Sequence, residues 1–139
     1  MKKIFIFLPI LFISVLLIAC SSSTSAPKVT ITPEIEEEIF AITKNVNQIS
    51  IDRVEDYSTY FTVWVEFLYE PTTTQEVEVF LTAVCEDCYR IAKKHELKVS
   101  INVWGFRPKD DDLTYNYGKA HYDRYSGKFE FKTAKELNL

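Results

Sequence analysis

Tyr60-Phe61-Thr62-Val63-Trp64-Val65-Glu66-Phe67-Leu68 decides the fold class of this chain. Its residues alternate with a period of two. Phe61, Val63, Val65 and Phe67 fall on one side, and Tyr60, Thr62, Trp64, Glu66 and Leu68 on the other. β-Branched and aromatic side chains suit such a pleated surface. The stretch reads as a strand with one apolar face and one mixed face, ended at Glu70-Pro71 because proline has no N–H for a ladder. The run from Ile49 to Glu55 precedes it and is expected to pair with it through a turn near Glu55-Asp56-Tyr57-Ser58.

On either side of this pair the period changes to that of a helix. From about Thr74 to His95, Val77, Leu81, Val84, Cys88 and Ile91 form one stripe, flanked by Phe80, Cys85 and Ala92. Thr73 and Glu76 have capping-box spacing. Arg90, Lys93, Lys94 and His95 stand near the end, where the dipole favours cations. Upstream, Thr32-Pro33 reads as an N-cap followed by proline at the first helical position. Ile35, Ile39, Ile42, Val46 and Ile49 continue from there as a helical stripe. Glu34, Glu36, Glu37 and Glu38 then read as a solvated first turn and outer face rather than a metal site.

Downstream, Lys98 to Phe106 alternates again, with Val99, Ile101 and Val103 on its apolar side. Pro108 and Asp110-Asp111-Asp112 mark a loop that lacks the alternate spacing and glycine of a calcium-binding loop. Leu113 to Asp123 and Lys128 to Lys132 read as a hairpin around Arg124-Tyr125-Ser126-Gly127. The order α-β-β-α-β-β-β gives the expected class, α+β: an antiparallel sheet of four to five strands with two helices packed on one face.

The first twenty residues have a different character. Lys2 and Lys3 open a largely apolar run from Ile4 to Ile18, and the segment ends Leu17-Ile18-Ala19-Cys20. It resembles a bacterial lipoprotein signal, and the last four residues match the lipobox. The resemblance implies removal of residues 1–19, a diacylglycerol on the Cys20 sulfur, and anchoring on the outer side of a cell membrane or outer membrane. An uncleaved spanning helix fits less well, because the apolar run falls short of ~20 residues and contains Pro9. Residues 20–27, rich in serine, read as a flexible tether, and 28–139 as one globular domain.

The chain carries 16 basic and 20 acidic residues, a net charge of −4. Loss of Lys2 and Lys3 with the signal would leave the mature chain more acidic. Such a balance argues against a nucleic-acid partner. It contains no nucleophile elbow, phosphate-binding glycine loop or dinucleotide fingerprint, and no cofactor is expected.

Three groups of residues could carry function. Cys85-Glu86-Asp87-Cys88 has redox or metal spacing, but it falls about three turns into a helix and beside its buried stripe. A structural disulfide and a buried thiol pair are both open. Zinc would need four ligands, and His95 is too far along the helix axis from Cys88 to close such a site. Lys119, His121 and Asp123 alternate on one strand face, yet no nucleophile is placed for them by any motif. Finally, Tyr60, Trp64, Trp104 and Phe106 should lie opposite the helices, where large aromatics either lie under a cover or form a contact surface. The resulting expectation is a non-enzymatic binding module facing an envelope protein or cell-wall partner. The alternative is a small-ligand or ion binder with its pocket between helices and sheet.

Overall fold

The computed structural model describes residues 30–108 and 114–136. The expected signal, Cys20, the tether and Asp110-Asp111-Asp112 lie outside these residues. Seven elements follow in the order α1 (Pro33–Ala41), β1 (Ile49–Asp56), β2 (Tyr60–Phe67), α2 (Thr74–Lys94), β3 (Ser100–Pro108), β4 (Thr114–Asp123) and β5 (Lys128–Thr133). The strands form one five-stranded sheet in sequence order. Pairing is antiparallel for β1–β2, β3–β4 and β4–β5, and parallel for β2–β3. The class is α+β as expected, and the parallel pair corrects an all-antiparallel sheet. A parallel neighbour cannot be reached by a tight turn; here α2 is the crossover.

α1 starts as its sequence dictates, with the Thr32 hydroxyl accepting from the Ile35 N–H at 3.3 Å and Pro33 in the first turn. It stops at Ala41, well before Val46 and Ile49, the last residues of the expected stripe. From Ile42 onward the α ladder gives way to i→i−3 bonds, Ile42 N–H to Ile39 O, Lys44 N–H to Ala41 O and Val46 N–H to Thr43 O. The Thr43 hydroxyl leaves the helix altogether and accepts from the Ile51 N–H of β1 at 3.2 Å. Val46 packs at the margin of the core, and Ile49 belongs to β1.

α2 is capped at both ends. The Thr73 hydroxyl accepts from the Glu76 N–H at 3.1 Å, while the Glu76 carboxylate reaches back to the Thr72 N–H. At its C-terminus Leu97 N–H donates to Ala92 O and Glu96 N–H to Lys93 O, a Schellman pair. Glu96 takes the left-handed conformation there, at φ 57°.

The core forms where the alternating faces of β1–β4 meet the helical stripes. Phe61, Val63, Val65 and Phe67 of β2, with Ile101 and Val103 of β3, are all buried against Leu81, Val84, Cys85 and Cys88 of α2. α2 touches β3, β4 and β5, and α1 rests on α2 while adding Ile35 and Ile39 to the same cluster.

Two irregularities reset which side chains face out. β1 skips one residue between the pairs Ile51–Val65 and Arg53–Trp64, leaving Asp52 as a bulge. Ile49 and Ile51 are buried, so an unbroken strand would have turned Arg53 toward the core. The bulge turns it outward and returns Val54 to the inner side, opposite Val63. β4 makes the same move at Tyr117, between the pairs Gly105–Gly118 and Phe106–Asn116. Tyr117 thereby lies against Phe67, ring centroids 5.3 Å apart.

Candidate functional site

The outward face of the sheet is organised by one cross-strand row. Arg53 of β1 pairs with Trp64 of β2, Trp64 with Trp104 of β3, Trp104 with Lys119 of β4, and Lys119 with Lys132 of β5. The two indoles are stacked, centroids 5.8 Å apart and planes within 17°. The Arg53 guanidinium lies 4.4 Å from the Trp64 ring centre and the Lys119 ammonium 5.3 Å from that of Trp104. Since the order of strands puts these neighbours on opposite sides, each indole has both of its faces covered. Cations attract the π face of an aromatic ring, so each contact at the ends of the stack is favourable. What the row presents outward is ring edges and cationic groups.

Phe106 sits beside the stack, edge-on to Trp64 at 6.2 Å. Thr62, on the same outward face, is only 4% exposed. This side of the sheet is therefore a layer of side chains and not bare backbone. Trp64, Trp104 and Phe106 are all half-buried. Of the four aromatics expected on this face, these three stand together. Tyr60 does not join them; it stacks on Tyr57 at 4.6 Å, at the end of the β1–β2 hairpin.

The charges of the face are unevenly satisfied. Arg53 is held by Asp52 at 2.7 Å and Glu55 at 2.9 Å. Its bond to Glu55, with a second from the Tyr57 hydroxyl, keeps the Glu55 carboxyl below its usual range. The Trp64 indole N–H is buried near Glu55 but has no hydrogen bond of proper geometry. Lys119 and Lys132 stand directly opposite each other, and among the described residues neither makes an ion pair. Burial, and then the neighbouring Lys132, push the Lys119 ammonium below its ordinary pKa.

Arg53, Lys119 and Lys132 were missing from the sequence reading of this face. Lys119 was grouped there with His121 and Asp123, and the structure does not unite those three in one site. The His121 Nδ1 lies 3.0 Å from Ile101 O and 2.9 Å from Asn102 Oδ1, so that nitrogen carries the hydrogen and donates. Asp123 instead closes the β4–β5 turn, accepting from the Tyr125 and Ser126 N–H groups, each at 3.2 Å.

Cys85 and Cys88 are free thiols, both buried in the face of α2 that meets the sheet. Burial pushes Cys85 up to about 12 and raises Cys88 as well, the opposite of what an attacking thiolate needs. His95 meets a different partner. Its Nε2 lies 2.8 Å from Glu38 Oε1, and the donors of Glu34, Glu38 and His95 fall within 4.8 Å of one another. The same Glu38 oxygen also accepts from Lys94 Nζ at 2.8 Å, so a cation there would first have to displace an ammonium.

Between α1 and the free edge of β1 runs a groove of about 470 Å³, lined by Phe40, Val46, Ile49, Ile51 and Leu68 among others. It is the nearest counterpart to the expected pocket between helix and sheet. Its wall is mainly apolar, and the Thr43 hydroxyl in it is already engaged with Ile51. No described helix is long and apolar enough to cross a membrane. Comparison with protein-family models, with curated proteins and with solved structures finds no match for this chain.

Proposed function

We propose that this chain is a lipid-anchored lipoprotein of the cell envelope, acting as a non-enzymatic binding module through the outward face of its sheet. The observation that carries the reading is the cluster of Trp64, Trp104 and Phe106, half-buried on the side away from α2 and flanked by Arg53 and Lys119. Aromatic and arginine side chains dominate contact energetics at protein interfaces. The packing within the row also favours binding, because its members already lie against one another without a partner. The lipobox resemblance at Cys20 supports the location: a diacylglycerol would hold the domain at a bilayer, with the serine-rich segment as spacer.

The test is photo-crosslinking from Phe106 in the lipidated protein in its native membrane, with Val79 on the exposed side of α2 as reference position. A discrete adduct from Phe106 and none from Val79 is the expected result. Equal labelling from both positions, or none from Phe106, would remove the outward face as the contact surface. Labelled palmitate that reaches the wild type but not Cys20→Ala checks the anchor separately.

A further inference from the structure

We infer that the outward face docks a short acidic segment of an envelope protein, whose carboxylates meet Lys119 and Lys132 beside the edge of the Trp104 ring. This rests on the reading of that face as a contact surface and adds the chemistry of the partner. Three observations point the same way. Like charges directly opposite on neighbouring strands repel, yet Lys119 and Lys132 occupy such a pair with no carboxylate in ion-pair range among the described residues. Glu136 directs its carboxylate to the Thr133 N–H and hydroxyl at 2.7 and 2.9 Å and only feels Lys132 at longer range. Glu130, on the same face opposite His121, makes no ion pair with either lysine among the described residues. At the opposite end of the row, by contrast, Arg53 has two acidic partners of its own. The face therefore has one end whose cation is ion-paired and one end whose two cations are not.

The covered ring faces select the class of partner. A sugar ring binds an indole by stacking on its face, and here Arg53, the second indole and Lys119 occupy those faces. The exposed edges carry the positive rim of the aromatic quadrupole. Edges and ammonium groups together attract carboxylates. The charge of the whole chain limits the length of the ligand: at −4 overall, a long polyanion or an anionic bilayer would meet repulsion beyond the row. A short acidic segment meets only the row itself.

The test uses the full lipidated chain in neutral detergent, with a short glutamate peptide and an oligogalacturonide of equal charge as probes. Peptide binding is expected to weaken about tenfold in Lys119→Gln/Lys132→Gln, a size typical of losing two partly screened charge contacts. It should also fall as salt is raised through a Debye length of ~10 Å. Lys132→Gln alone, at an exposed position, should give part of the effect with an unchanged melting temperature. Equal binding by the double variant would overturn the inference, as would an oligogalacturonide that binds as tightly as the peptide. If neither probe binds while Phe106 still cross-links in the membrane, the acidic-segment inference falls and the contact surface stands. If the peptide binds and Phe106 cross-links to nothing, the chemistry of the row stands and the envelope-partner reading falls.

Discussion

The carboxylate of Glu38 on α1 and the imidazole of His95 at the end of α2 meet at 2.8 Å, tying two helices that are far apart in sequence. Lys94 shares the same carboxylate oxygen, also at 2.8 Å. The Lys94 bond first, and the His95 bond second, hold the Glu38 carboxyl below its ordinary pKa. A carboxyl whose pKa is depressed on folding contributes stability above its unfolded pKa of roughly 4.3, and loses it as pH falls through the lower folded value.

The acid limb of the stability curve should therefore respond to Glu38→Gln. Urea midpoints followed from pH 7 down to pH 3 should fall less steeply for the variant than for the wild type. Glu55, Glu76, Asp123 and Glu136 are depressed too, so the slope should flatten and not vanish. Parallel curves would show that the clip between α1 and α2 contributes nothing through this carboxylate.

Gly105 of β3 faces Leu81 of α2 so closely that a Cβ there would lie 2.8 Å from one Leu81 methyl and 2.9 Å from a Phe67 ring carbon. Gly105→Ala overfills a closed core, and an overpacked site of this kind costs about 1–3 kcal/mol. Leu81→Ala alone should cost about 2–5 kcal/mol through the cavity it leaves. Together the two should cost less than their sum, because the shortened Leu81 leaves the space the new methyl needs. Additive losses in denaturant titrations would mean that the glycine is required for some other reason.

Glu96 closes α2 in a left-handed conformation that glycine takes freely and L residues other than asparagine rarely take. Its two backbone bonds, Leu97 N–H to Ala92 O at 2.8 Å and Glu96 N–H to Lys93 O at 3.1 Å, hold it there. Glu96→Gly should raise stability by about 1 kcal/mol, the approximate penalty of a Cβ in the left-handed region. A lowered melting temperature in that variant would show that the carboxylate has a partner worth more than the strain.

Much of this architecture was legible because periodicity reports burial directly. The period-two run at Phe61 to Phe67 and the stripe from Val77 to Ile91 became β2 and α2, with Thr73 capping as its spacing from Glu76 implied. The upstream apolar stripe runs on past the end of α1 for a physical reason. Val46 and Ile49 stay at helical spacing from Ile42, yet the Thr43 side chain binds the Ile51 backbone and ends the helix. Apolar spacing alone cannot separate a helix from a turn followed by a strand.

The outward row was only half legible for a related reason. Trp64 and Trp104 followed from simple alternation. Arg53 did not, because the bulge at Asp52 inverts the alternation between Ile51 and Val54. The one available signal was the break in phase itself, from Ile49 and Ile51 to Val54. Lys119 and Lys132 are readable as strand residues, but the pairing of Lys119 with Trp104 depends on the β3–β4 register, which is displaced beyond Gly105 by the bulge at Tyr117. That of Lys132 with Lys119 depends on the β4–β5 register.

The buried thiols of α2 give the last prediction. Burial pushes the Cys85 thiol up to about 12, so it stays protonated near neutral pH, and the surrounding core blocks reagent from both sulfurs. Full-length protein isolated without reductant should therefore resist alkylation at Cys85 and Cys88 until it unfolds, and the two should then react together. The rate under mild denaturant should follow the unfolding rate and be indifferent to alkylating-agent concentration once that is high, because opening of the core limits access. Replacing both residues by alanine should cost about 1–3 kcal/mol through lost packing alone. Fast modification of either cysteine in the native protein would place one sulfur outside the core and reopen a redox role for the pair, and recovery of both as a disulfide would replace the free pair by a structural bridge.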